Sequence, residues 1–247
     1  GAGSVYFGVE HLNMRSRSAN NFTLDDLRKI VEIASKNKVK TYLTLNVEIF
    51  DGEIQQMHKI LQAAKEAGVS AVIAADVSVI QYARSIGLEV HISTQVNITN
   101  IEAVKFYSLF ADVVVLAREM NLGRVWEISD QIKREQIKGP SGRLVQIEMF
   151  VHGALCMATS GKCYLSLHEM NSSANRGACL QTCRRAYVVT DKETGAEIEI
   201  DNEYIMSPKD LKTIHFLNKI LDAGVSVLKI EGRSEEHTSE LQSRLHL

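Results

Sequence analysis

Cys156, Cys163, Cys179 and Cys183 are all the cysteines of the 247-residue chain. Thiols clustered in this way are poor disulfide candidates in a reducing cytosol, and ligation of a metal accounts for them more economically. Six residues separate the first pair and three the second, so each pair can reach one centre. Structural zinc usually takes pairs two to four residues apart, which the wider gap fits less well, whereas iron–sulfur sites tolerate irregular spacing. Spacing favours an iron–sulfur cluster and leaves zinc and unligated cysteines as alternatives. Gly153, Gly161 and Gly177 are expected to let backbone amides approach sulfur. Lys162, Arg176, Arg184 and Arg185 form a modest basic patch that offsets thiolate charge or meets nucleic-acid phosphates.

The elements that must position these residues follow one repeated unit, a short β-branched run and then an amphipathic helical stretch. Strands are expected at Ser4–Gly8, Lys40–Asn46, Ala71–Ala75, Glu89–Gln95, Asp112–Ala117, Gln146–Val151 and Ser226–Ile230. Helices over Leu24–Asn37, Glu53–Ala67, Val77–Ile86 and Ile101–Phe110 separate the first five. Thr23 caps a helix start, and Gly68, Gly87 and Gly224 follow helix ends. Gly1-Ala2-Gly3-Ser4-Val5 reads as a helix-to-strand turn, so one earlier strand is expected to precede it. The pattern therefore predicts an α/β fold of the (β/α)8 TIM-like barrel type lacking its first strand, over positions 1–233. The cysteine-rich segment 152–187 is an insertion after the penultimate strand. No Gly-x-Gly-x-x-Gly follows a strand, which leaves a dinucleotide-binding open sheet unsupported. Positions 234–247 abandon the pattern, resemble translated adapter sequence, and are set aside with His237 and His246.

Barrel enzymes place their chemistry where the strands run out. Those positions here are Asn46, Asp76, Thr94 with Gln95 and Asn97, Arg118 with Glu119, His152, and Glu231 with Arg233. Arg15 and Arg17 add positive charge to the same mouth and could grip a carboxylate or phosphate. His91 sits inside a strand pattern and reads as a hydrogen-bonded interior residue. A net charge of −2 gives no global attraction to a polyanion, so a nucleic-acid partner needs a local basic patch. Without a long apolar run or a signal-peptide pattern, the expected location is the cytoplasm, with no membrane partner.

The run Glu148-x-Phe150-x-x-Gly153-Ala154-Leu155-Cys156-x(4)-Gly161-x-Cys163-x-Leu165-Ser166 resembles the signature of the U32 family, long labelled collagenase-like peptidases. Further matches are Val5-Tyr6-Phe7-Gly8, Asn13-Met14-Arg15, Ser173 to Gly177, Cys179-x-x-x-Cys183-Arg184, Ser207 to Leu211, and Lys229-Ile230-Glu231-Gly232-Arg233. The resemblance implies an oxygen-independent hydroxylase of an RNA base, in tRNA or ribosomal RNA, with a tRNA uridine favoured. It further implies a 4Fe-4S cluster and prephenate as the small-molecule oxygen donor. Many relatives carry a cysteine where this chain has Lys212, so either Cys183 is the fourth ligand here or the site is incomplete. On this reading Cys156, Cys163, Cys179 and Cys183 bind metal, Arg15, Arg118 and Arg233 hold the donor, and Gln95 is a further substrate-binding residue. Glu119, His152 and Glu231 move protons, and Arg176, Arg184 and Arg185 meet nucleic acid. The alternatives are a U32 peptidase, for which no His-Glu-x-x-His or Gly-x-Ser-x-Gly device is present, and an RNA-binding module with structural zinc.

Overall fold

The computed structural model describes residues 1–10, 12–14, 16, 21–200 and 205–231. Arg15, Arg17, Arg233 and the segment 234–247 lie outside the described residues. In chain order the elements are β1 (Ser4–Gly8), α1 (Leu27–Lys36), β2 (Lys40–Leu45), α2 (Ile54–Ala67), β3 (Ala71–Ala74) and α3 (Val77–Ser85). There follow β4 (Glu89–Ile92), α4 (Ile101–Ser108), β5 (Val113–Val115), α5 (Leu122–Arg134) and β6 (Gln146–Gly153). The last third holds α6 (Leu165–Met170), β7 (Tyr187–Thr190), β8 (Glu197–Ile200), β9 (Leu211–Lys212), α7 (Leu217–Asp222) and β10 (Val227–Ile230).

Seven strands pair in parallel in the order β1-β2-β3-β4-β5-β6-β10, and β9 adds antiparallel to β6. Alternation along these strands divides the molecule into two environments. One face packs against the helices: Leu43, Leu45, Val72, Val90, Ile92, Val114 and Ile147 are buried there with Met57, Ile60 and Leu61 of α2 and Val125 and Ile128 of α5. Burying one such side chain contributes about 1.5–3 kcal/mol, so truncation of Leu61 to Ala should cost about 2–5 kcal/mol.

The other face curls inward. Tyr6 of β1 donates from its hydroxyl to the Ile230 carbonyl of β10 at 3.3 Å, and Lys229 Nζ lies 4.5 Å from the Tyr6 ring centroid. The two ends of the sheet therefore approach one another, although they do not pair as strands among the described residues. The result is an α/β fold with a curled parallel sheet, and no eight-strand closure is present among these residues. The helix ends follow local chemistry: Asn100 and Asn121 cap α4 and α5 by accepting from Ala103 N and Arg124 N. Gly68 ends α2 with φ +83°. Among the described residues no helix is long and apolar enough to cross a membrane.

Candidate active site

The segment carrying the cysteines leaves the sheet at the end of β6 and returns over the mouth of the curl. Its departure needs glycine at Gly153, where φ is +121° and a Cβ would collide with the Glu231 carbonyl. A register slip between Lys229 and Ile230 brings Ile230 opposite His152, and Glu231 N then donates to the His152 carbonyl at 2.9 Å. Further along, Gly177 has φ +76° and packs on the Asn13 carbonyl, while Ser16 Oγ donates to the Gly177 carbonyl at 3.1 Å. These two glycines admit close approach to Glu231 and to Asn13. Asn97, at the end of β4, donates to the Ser160 carbonyl at 2.9 Å and staples the first cysteine loop down. Within the segment, Leu180 N donates to Ser166 Oγ at 3.1 Å and Ser172 Oγ to the Ala178 carbonyl at 2.9 Å.

That docking brings Cys156, Cys163, Cys179 and Cys183 to the wall of one cavity of about 90 Å³. All four are free thiols, Cys183 buried and the others partly so. Among the described residues no three His, Cys, Asp or Glu side chains are grouped tightly enough for a single metal ion. A larger cavity of about 740 Å³ occupies the inside of the curl, lined by residues that include Tyr6, Tyr42, Ile73, Glu148, Phe150 and Lys229. Met14, Gln95, Arg118 and Glu231 line both cavities. They form the wall between the thiols and the interior.

Charges in this wall are paired. Arg118 reaches Glu231 at 3.6 Å and stacks 4.7 Å from the Phe150 ring centroid. Deeper, Lys229 Nζ lies 2.6 Å from Glu148 Oε1, with both side chains buried. Burial raises the Tyr42 hydroxyl above its usual range, a Ser4 hydrogen bond counters this, and the Glu89 and Glu148 carboxylates raise it further. Tyr42 is therefore a protonated donor at neutral pH. Its ring meets His91 edge-on at 4.5 Å, and His91 is buried with its Nε2 3.2 Å from Glu89, as an interior strand histidine should be.

The residues singled out from sequence are divided by the structure. Gln95, Arg118 and Glu231 come together with the four cysteines, while Arg15 and Arg233 fall outside the described residues. Glu119 is exposed, and it and His152 line neither of the two cavities. Arg176 bonds the Glu53 carboxylate and the Glu48 carbonyl and stacks 4.3 Å from the Phe50 ring centroid. Arg184 is buried and pairs with Asp210 at 2.5 Å, while Arg185 is exposed. Asp76 is the cap of α3, accepting from Ser78 N at 2.8 Å and Ile49 N at 3.0 Å. Glu148 and Lys229 were not assigned a role, although a charged residue in the middle of a buried apolar run was the available signal.

Comparison with known proteins places these features in a family. A family model described as peptidase family U32 matches residues 1–242. A collagenase of Porphyromonas gingivalis is 64% identical, over 95% of this chain and 56% of its own length. The tRNA hydroxylation protein P1 of Bacillus subtilis is 36% identical over 94% of this chain and 54% of its own length. A 23S rRNA 5-hydroxycytidine synthase of Escherichia coli is 34% identical over 96% and 34%. The chain thus spans about half the length, or less, of these curated relatives. The solved structure of the U32 peptidase Mk0906 shares the fold, with a TM-score of 0.54 at 13% identity, covering 93% of this chain and 84% of the other.

Proposed function

The chain belongs to peptidase family U32, and from that premise we propose that it is the catalytic barrel of an enzyme that hydroxylates an RNA base without molecular oxygen. A tRNA uridine is the favoured target, and prephenate is the oxygen donor. The observation that carries this reading is the wall of Arg118, Gln95 and Glu231 shared by the four-thiol cavity and the interior cavity. Such a wall brings a substrate inside the curl beside whatever the thiols hold. Relatives named for tRNA and rRNA hydroxylation supply the reaction class.

Cys156, Cys163, Cys179 and Cys183 would hold a 4Fe-4S cluster. The fit rests on the donor set: four free thiols line one cavity. When bound, such a cluster supplies electron transfer or Lewis acidity next to the wall. Arg118 is placed to hold a carboxylate of the donor, since Glu231 and the Phe150 ring already fix its guanidinium. Glu231, at the same wall, is the best-placed group to accept or return a proton. Tyr42 and the Glu148–Lys229 pair keep the interior polar without adding net charge.

Proteolysis is the second reading, favoured by the name of the 64% identical relative. The two separate in cells lacking the gene, complemented with the full-length protein or its Cys156→Ala and Arg118→Ala variants. Mass spectrometry of nucleosides from tRNA and ribosomal RNA should find one hydroxylated nucleoside missing in the deletion, restored by the wild type and by neither variant. Persistence of every modified nucleoside, together with cleavage of gelatin by the purified protein, would establish the peptidase instead.

A further inference from the structure

The side-chain amides at the mouth of the curl are wired in one direction. Met14 N donates to Asn46 Oδ1 at 3.1 Å. A backbone amide can act only as a donor, so the Asn46 oxygen is fixed toward Met14 and its nitrogen faces the other way. That nitrogen donates to Gln95 Oε1 at 3.3 Å, and the Ser93 hydroxyl donates to the same oxygen. The Gln95 Nε2 hydrogens are thereby turned away from Asn46, and no acceptor among the described residues takes them. The rest of the residue is held too. Asn97 Nδ2 donates to the Gln95 carbonyl at 2.8 Å, and Gly161 packs so closely on the Gln95 stem that an added Cβ would lie 3.0 Å from its Cγ. What remains is an oriented pair of donor hydrogens on a side chain that lines both cavities beside Arg118.

We propose that Gln95 is the specificity-determining donor of this site, and that Asn46 and Ser93 are positioning residues that keep its nitrogen outward. The site then takes a ligand that presents a carbonyl or carboxylate oxygen where the two cavities meet, and it rejects one that presents a donor there. This rests on the reading of the site as an RNA hydroxylase and adds the kind of atom it recognises. Two sources have that chemistry: a carboxylate of the small acid, or an exocyclic carbonyl of the base.

Full-length protein separates them by two readouts, the Kd for prephenate from calorimetry and the KM for RNA in turnover. Gln95→Glu is isosteric and replaces the donor with an acceptor. Asn46→Asp still accepts from Met14 but loses its donor, so the Gln95 amide turns round to face it. Each should weaken one of the two constants by about ten- to a hundred-fold, with a smaller change in kcat, and the constant that moves identifies the source. Asn46→Asp should have no further effect in a Gln95→Ala background, which a merely structural role would not produce. Both constants unchanged in Gln95→Glu, or an undiminished effect of Asn46→Asp without Gln95, overturns the proposal. A wild type that binds prephenate through Gln95 but hydroxylates no RNA overturns the proposed function and leaves this inference standing.

Discussion

Lys229 and Glu148 sit on the inner face of adjacent strands, 2.6 Å apart and nearly out of contact with water. The ammonium is additionally flanked by the Tyr6 and Phe150 rings, at 4.5 and 5.6 Å. Removing one charge from such a pair strands the other, whereas replacing both removes the desolvation cost together. Glu148→Ala or Lys229→Ala alone should therefore lower unfolding free energy by about 3–5 kcal/mol, and Glu148→Gln with Lys229→Met by clearly less, as read from urea unfolding curves. Equal losses in single and paired variants would mean that the charges do not interact. Both residues were legible in part, since Glu148 and Lys229 interrupt apolar runs within strands whose limits the sequence marks to within a few residues. Period-two alternation puts Glu148 and Phe150 on one face. What alternation cannot provide is the partner, because pairing of β6 with β10 joins positions some eighty residues apart.

The cysteine segment is an element held by contacts rather than by strand pairing. Gly153, Gly177, the Asn97–Ser160 bond and the Arg176–Glu53 pair dock it on the mouth. Gly177→Ala should lift the segment from the Asn13 carbonyl and raise amide exchange in 156–185 while leaving exchange in β3 and β4 unchanged. Uniform loss of protection across the sheet would show that the segment and the sheet are one cooperative unit. The Arg176 clamp carries a pH dependence. Burial alone would raise the Glu53 carboxyl, but the Arg176 guanidinium and Phe50 N–H outweigh it and hold the carboxyl below its ordinary value. A carboxyl depressed by folding contributes stability that is complete above the unfolded value, 4.5, and is lost as pH falls through the lower folded one. Protection near Arg176, taken relative to the intrinsic exchange rate at each pH, should thus fall with acidification below about pH 4.5, and Glu53→Gln should abolish that fall. No difference between the two proteins would remove the clamp from the account. Legibility is uneven at this scale. Helix α5 was open to discovery, with Asn121 as cap and Leu122, Val125, Ile128 and Ile132 at helical spacing. The β7–β8 hairpin exposes Val188 and Ile198, so the alternation of Glu197 to Ile200 marks no core face, and the two-residue β9 is a tertiary pairing with β6 that no local pattern announces.

Across the whole molecule, seven parallel strands bring strand ends from remote parts of the chain to one mouth, and the segment between β6 and β10 folds over it. Parallel order and inward curl follow from alternating strands and helices, so they could be read in advance. The meeting of Arg118, Gln95, Glu231 and Met14 with four thiols could not, because it depends on how that segment returns. The central proposal is that this meeting is a cluster site, with the thiols holding iron and sulfide against the cavity wall. Full-length protein purified without oxygen and assayed for iron, acid-labile sulfide and zinc tests it most directly. The account predicts about four irons and four sulfides per chain, lost when Cys156, Cys163, Cys179 or Cys183 is replaced by Ala. Stoichiometric zinc without iron, or iron retained in all four variants, would contradict it.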